Sequence, residues 1–169
     1  VWQKTFPLAF YKSQEAAGSE LPHAPAAWEN KKVLISLSNK ESQKDQVLMI
    51  GKTLKDLGFT LVGTQGTADF YNSNGIKCDV VNKIGGGRPD VVDMIMNKEV
   101  CLVINTPKAK RNYAEDRKTI RKMCLKYKVS YITTLAGAVA AVQGIAAVKN
   151  GNGGEGGVRS LQEYHSLIK

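Results

Sequence analysis

The sequence predicts an α/β protein: a three-layer, Rossmann-like fold with a mostly parallel five-stranded sheet and helices on both faces. Three observations carry this. Short apolar runs of strand type alternate with amphipathic helical stretches from residue 32 onward. The connections are short, and glycines stand where helices should stop. A chain of 169 residues, 43% of them hydrophobic, can close one core that covers the sheet on both sides.

Residues 3–17 read as a helix with Phe6 and Phe10 on one face and Gly18 as its stop. Gly18 to Pro25 reads as a linker. The chain thus divides into an N-terminal helix and linker, residues 1–30, and a main domain, residues 31–169. The two phenylalanines need a cover, either from a preceding domain or from this one. Val33 to Leu37 is a buried-type strand, followed by a helix from Ser42 to Leu57 with a Val47, Ile50, Leu54, Leu57 stripe and Gly58 as its stop. Phe59 to Val62 is the second strand. A second helix, Thr67 to Asn74, ends at Gly75. Cys78 to Val81 is a third strand, and Pro89 suits the first position of a helix through Met96. Cys101 to Ile104 is a fourth strand. The helix from Asn112 to Lys126 opens on a capping-box pattern, Asn112 with Glu115. Val129 to Ile132 is the fifth strand, and Leu135 to Val148 an Ala-rich helix. A glycine-rich loop, Asn150 to Gly157, precedes a last helix, Arg159 to Ile168.

The composition excludes several function classes. No apolar run reaches the length of a membrane span, and no secretory signal follows Val1, so a cytoplasmic location is expected. Val1 in place of an initiator methionine predicts a piece of a longer chain. Cys78, Cys101 and Cys124 form no CxxC pair and have only His23 and His165 for company. Buried free thiols are expected, with no metal site. There is no Ser-His-Asp or Cys-His set, no GxxxxGK[ST], and no GxGxxG after the first strand. A hydrolase, a P-loop enzyme and a Rossmann dehydrogenase are disfavoured.

The charge is +9 and uneven: residues 108–128 hold nine basic residues against two acidic ones. Such a patch favours anions, either small phosphates or nucleic acid. Two acidic residues within it and the lack of an aromatic platform speak against nucleic acid.

In a parallel sheet the ligand lies beyond the carboxyl ends of the strands. Those loops hold Ser36, Ser38, Asn39, Lys40 and Lys44; Thr64 and Thr67; Asn82, Lys83, the glycines 85–87 and Arg88; Asn105, Thr106 and Lys108. Hydroxyls, amides, glycines and lysines converge there on one rim. The run Gly63-Thr64-Gln65-Gly66-Thr67 joins a strand to a helix N-terminus, which suits a phosphate. Each residue has a plainer alternative: Thr67 as a helix cap, Lys44 as a surface lysine, the glycines as a turn, Asn105 as a turn residue. Asp116 falls in register with Ile120, Met123 and Tyr127 and so faces inward, unless it is only a helix-start charge. The rim as a whole predicts a pocket for a nucleotide-sized phosphate ester.

The runs VLISLSNK, GFTLVGTQGTADF, GIKCDVVNKI, LVINTP, EDRKTIRK and KVSYITTLAGAVAAV resemble the methylglyoxal-synthase-like domain, in the form that ends the large subunit of carbamoyl phosphate synthetases. The resemblance spans residues 30–148. It implies an allosteric domain that is not itself catalytic and that binds nucleotide monophosphates such as UMP or IMP. It places Lys44, Thr64, Thr67 and Lys83 at the phosphate, Asn105, Thr106 and Asp116 along the rest of the pocket, and Ser36 and Asn82 close by. It further implies a glutamine-hydrolysing ligase as the parent, with ATP, magnesium and potassium bound outside these residues. The implied partners are the rest of the large subunit and a glutaminase small subunit, with self-association through this domain, and the pathways those of arginine and pyrimidine synthesis. Pro107, Lys108 and Ile132 depart from the familiar pattern; Ile132 stands where an acidic residue near an ornithine site is expected. Arg88 follows Gly86-Gly87 where true methylglyoxal synthases carry a catalytic aspartate, so the alternative, a phosphate-eliminating lyase, has only Asp90 as a candidate base.

Overall fold

The computed structural model describes residues 2–22, 31–38, 42–106 and 114–149. The expected glycine-rich loop and last helix, the Asn112 cap, both histidines, and Asn39, Lys40 and Lys108 lie outside the described residues. Within them the elements run α1 (Trp2–Ala16), β1 (Lys32–Ser36), α2 (Lys44–Asp56), β2 (Thr60–Gly63), α3 (Gln65–Ser73), β3 (Cys78–Val80), α4 (Val91–Met96), β4 (Val100–Asn105), α5 (Ala114–Tyr127), β5 (Ser130–Ile132) and α6 (Leu135–Ala147).

All four strand pairings are parallel, and the sheet order is β3-β2-β1-β4-β5. The chain starts in the middle, adds strands outward on one side, then returns to add β4 and β5 on the other. Right-handed crossovers force the helices of the two excursions onto opposite faces. The two cores follow that rule. One joins α2, α3 and α6 to the sheet through Val47, Ile50, Leu54, Ala68, Tyr71, Ala138 and Val142. The other joins α4 and α5 through Val91, Met94, Ile95, Ile120 and Cys124. β1 lies between β2 and β4, and Val33, Leu34 and Ile35 are buried on both sides. That burial is why its sequence is continuously apolar rather than alternating.

The helix ends show one device used five times, first at Gly18 after α1. After α2, Gly58 takes φ 93°, its amide donates to Lys55 O, and the Phe59 amide donates to Leu54 O at 3.0 Å. This is a Schellman ending, which satisfies the last carbonyls. Gly75 does the same after α3. After α4 and α5, however, Lys98 and Lys128 fill the left-handed position, at φ 56° and 55°. Sequence patterns built on glycine do not register a lysine there.

Three helix starts differ from expectation: α2 begins at Lys44, two residues after Ser42, and the other two change the capping residue. α3 begins at Gln65, with Thr64 at the N-cap, so Thr67 lies inside the first turn and is not the cap. Thr67 is 2% exposed, and its hydroxyl accepts from the Leu37 amide at 3.4 Å. α4 does not start on Pro89. Pro89 follows a cis peptide bond, and Asp90 is the N-cap: its Oδ1 accepts from the Val92 and Asp93 amides, and the Asp93 carboxylate accepts from the Asp90 amide. This reciprocal box satisfies otherwise unpaired amide donors at the helix start.

α1 packs on α6, where Gly144 leaves room for it: a Cβ there would lie 2.8 Å from the Pro7 carbonyl oxygen. Tyr11 is buried and its hydroxyl donates to Leu21 O at 3.1 Å. Phe10 packs against the core, while Phe6 remains 59% exposed. The three cysteines are free thiols, and burial raises their pKa values, Cys78 to about 11 and Cys101 and Cys124 to about 12. They stay protonated near neutral pH and are poor nucleophiles. No helix among the described residues is long and apolar enough to cross a membrane.

At the end of the sheet away from the strand-end loops, Lys32 and Glu99 pair at 2.6 Å. The lysine holds the Glu99 carboxyl below its ordinary 4.5. A depressed carboxylate contributes stability above its unfolded pKa and loses it as pH falls through the folded one. Both side chains are more than a third exposed, so the contribution is under about 1 kcal/mol. Denaturant titrations of Glu99→Gln and the parent chain should differ by that small amount at pH 7 and converge at pH 3. A larger effect comes from Gly51, where a Cβ would stand 2.3 Å from the ring of the buried Tyr71. Gly51→Ala should lower unfolding stability by about 1–3 kcal/mol, the usual penalty of overpacking, in the same titration.

Candidate functional site

Side chains alternate across a strand, so parity decides which face each rim residue joins. Val33 and Ile35 point to the α2/α3/α6 core, and Leu34 to the α4/α5 core. Ser36 therefore shares the face of Leu34. By the same count Thr64 follows Val62, and Asn105 follows Val103, onto that face. The backbone crossing point between β1 and β4, where the sheet order reverses, lies beneath them.

A cavity opens at this point. Its rim is Ser36, Thr64, Lys83, Asn105, Thr106, Asp116 and Arg117; its floor is Leu34, Ile84, Val91 and Ile120. The cavity has a volume of about 80 Å³, and the depression around it, counted out into open solvent, reaches about 720 Å³. An apolar floor under a few convergent polar groups is the usual build of a small-molecule site.

Each rim residue is held by local structure. Thr64 sits at the N-cap of the nine-residue helix α3, yet its hydroxyl makes no capping bond. The hydroxyl is left for the cavity, beside a helix N-terminus that favours anions. Thr106 is fixed in place: its amide donates to Ser36 O at 2.9 Å, and its hydroxyl accepts from the Ser38 amide at 2.9 Å. These two bonds join the β1 and β4 ends into one lip. Asn105 is 7% exposed, and its Nδ2 donates to the Tyr131 hydroxyl at 3.3 Å. Asp116, in the first turn of α5, makes no ion pair among the described residues. It is flanked by Arg117, and Ile120 one turn on anchors that face of the helix in the core.

Six of the nine residues expected from the sequence line this cavity: Ser36, Thr64, Lys83, Asn105, Thr106 and Asp116. Three do not. Thr67 faces the other core and bonds to Leu37. Lys44 is exposed at the first position of α2. Asn82 braces the glycine loop, donating to Pro89 O at 3.2 Å and accepting from the Val91 amide at 3.2 Å. The reason for Thr67 is register: α3 starts two residues early, which turns that side chain inward. Sequence reasoning missed Arg117 and the floor. The floor had a signal, since Leu34 stands two residues before Ser36 and Ile120 four after Asp116.

The glycine loop carries no unengaged base. Arg88 pairs with Asp93, and both Asp90 and Asp93 are committed to the α4 cap.

The profile of the MGS-like domain family matches residues 46–133, from α2 through β5. The chain belongs to that family, and its own fold is a parallel α/β domain. Its relatives narrow the class further. It is 44% identical over 160 residues to the carbamoyl phosphate synthase large chain of Archaeoglobus fulgidus, covering 95% of this chain and 14% of that one. It is 41% identical over 146 residues to the C-terminal section of that large chain from Methanopyrus kandleri, covering 86% of this chain and 26% of that one. The corresponding section from Aquifex aeolicus is 38% identical over 166 residues, covering 97% and 29%. The chain thus spans less than a third of the length of each of these relatives.

The Asp90 box is the support on which Val91 and Ile84 rest. Asp90→Ala should lower the melting stability by about 1 kcal/mol, the usual loss of a cap, and Asp90→Asn should lose less. Thermal unfolding of the two variants measures it.

Proposed function

We propose that this chain is a regulatory domain that binds a nucleoside monophosphate, such as UMP or IMP, at the cavity between the β1 and β4 ends. The observation that carries the reading is Thr64: an N-cap threonine whose hydroxyl makes no cap, at a helix N-terminus, on the same rim as Lys83. A phosphate there would accept from the hydroxyl and from helix amides, with the lysine supplying charge. Asp116 and Asn105 would take the sugar and base edges. A carboxylate accepts ribose hydroxyls well, and a ligand lying over Leu34, Val91 and Ile120 gains apolar contact.

The similarity to carbamoyl phosphate synthase large chains gives the reading its setting. In that setting the effector would tune synthesis of carbamoyl phosphate from glutamine or ammonia, bicarbonate and ATP elsewhere in the parent chain. The small glutaminase subunit and the other large-chain domains would be its partners. Coupling requires only that the effector prefer one of two conformations of the whole. The lyase alternative would need a carboxylate base beside the phosphate. Asp90, its one candidate, is already accepting two amide hydrogens.

Isothermal titration of the chain with UMP and IMP tests the reading. One of the two should bind, and Thr64→Ala or Lys83→Ala should each weaken it about tenfold, the effect of losing one charge-assisted or well-aligned bond. Absence of heat from both nucleotides at millimolar concentration, or affinity indifferent to Thr64→Ala, would sink it.

A further inference from the structure

A second, more open depression of about 420 Å³ adjoins the cavity and shares Asn105 and Arg117 with it. Its other polar walls are Lys118 and Arg121 from α5, and Tyr131 and Thr133 from the end of β5. Arg117 and Arg121 stand at i and i+4, so their guanidinium groups leave the same face of the helix, one turn apart. Lys118 is tied to Glu115 at 2.8 Å. Arg121 makes no ion pair among the described residues. Opposite the arginines is the Tyr131 hydroxyl, already oriented by the Asn105 amide at 3.3 Å. Burial pushes the Tyr131 phenol up, while the Asn105 bond and the Arg121 and Arg117 charges pull it down. Both guanidinium fields therefore reach the hydroxyl.

Along the rim the signs alternate. Lys83 is positive near the β2 and β3 ends, Asp116 negative in the middle, and Arg117 with Arg121 positive beside β5. A single small anion gains nothing from Asp116, which repels it. A long ligand with an anion at each end and hydroxyls between them matches all three. β2 and β5 are three strand steps apart, about 14 Å at the usual spacing between paired strands. That is the separation the two anionic ends would need.

Building on the nucleotide reading, we propose that this depression is a second anion subsite. The ligand class it selects is a nucleotide that carries a further anionic group at its base end. The 5′-phosphate lies at Thr64 and Lys83, the ribose hydroxyls donate to Asp116, and the distal group takes the forked donors of Arg121 and Arg117 with the Tyr131 hydroxyl.

The probe is N6-succinyl adenosine 5′-monophosphate, which bears two carboxylates beyond its base, compared by isothermal titration with AMP and IMP. Arg121→Gln is the variant, because Arg121 is exposed and lies outside the first cavity. The succinyl nucleotide should bind the parent chain about tenfold tighter than the better of the two references. Arg121→Gln should erase that advantage and leave the reference nucleotide unchanged. A succinyl nucleotide that binds no tighter than the reference, or an advantage that survives in Arg121→Gln, overturns the subsite alone. If none of the three binds, the subsite falls, and the nucleotide reading falls with it only where UMP also gives no heat.

Discussion

The parallel pairing of β1 with β2 on one side and β4 on the other is the constraint from which the rest follows. A chain that begins at the centre of its sheet must reverse direction once to fill the other half. Handed crossovers then put α2 and α3 on one face and α4 and α5 on the other. The two helix layers diverge above the β1 and β4 ends, and nothing in the sheet can fill the gap. The cavity is a consequence of connectivity before any polar residue is chosen.

Strand parity decides what fills that gap. Ser36, Thr64 and Asn105 each continue a strand position that points to the α4/α5 face. The residues immediately before the first two, Ile35 and Gly63, serve the opposite core. Gly63 shows how tight that core is, since a Cβ would lie 3.1 Å from the Ile35 carbonyl oxygen and 3.3 Å from the Thr67 Cβ. Interiors at this density do not deform by small amounts. The polar rim is therefore held by two apolar layers, with the Thr106 lip and the Asp90 box fixing its loops.

β5 connects this rim to the N-terminal helix. Tyr131 faces the site side and receives the Asn105 bond, while Ser130, on the other side of the strand, donates to the Glu20 carbonyl in the segment after α1. α6 follows β5 directly and packs on α1 at Gly144. The opposite end of the sheet holds the Lys32–Glu99 pair. The candidate site and the Lys32–Glu99 pair thus lie at different ends of the same strands, the common arrangement in parallel α/β folds.

By itself the sequence determined the layer order, the five strands and the strand-end rim, because hydrophobic period and glycine stops are local signals. It also pointed to six residues of the rim: five stand within three positions of a strand end, and Asp116 was marked by its helical register with Ile120. Tertiary structure decided the rest. Thr67 is turned inward by a helix that starts at Gln65, and no local pattern distinguishes Thr64 from Thr67 as the cap. Asn82 is drawn into the glycine loop by contacts with Pro89 and Val91, and Lys98 and Lys128 take a conformation usually left to glycine. Arg117 joins the rim only because Ile120 anchors α5 in the core at one rotation about its axis. Period and composition say which residues can face a ligand. Which of them do is set by register between elements distant in sequence, and that is fixed only when the two cores close.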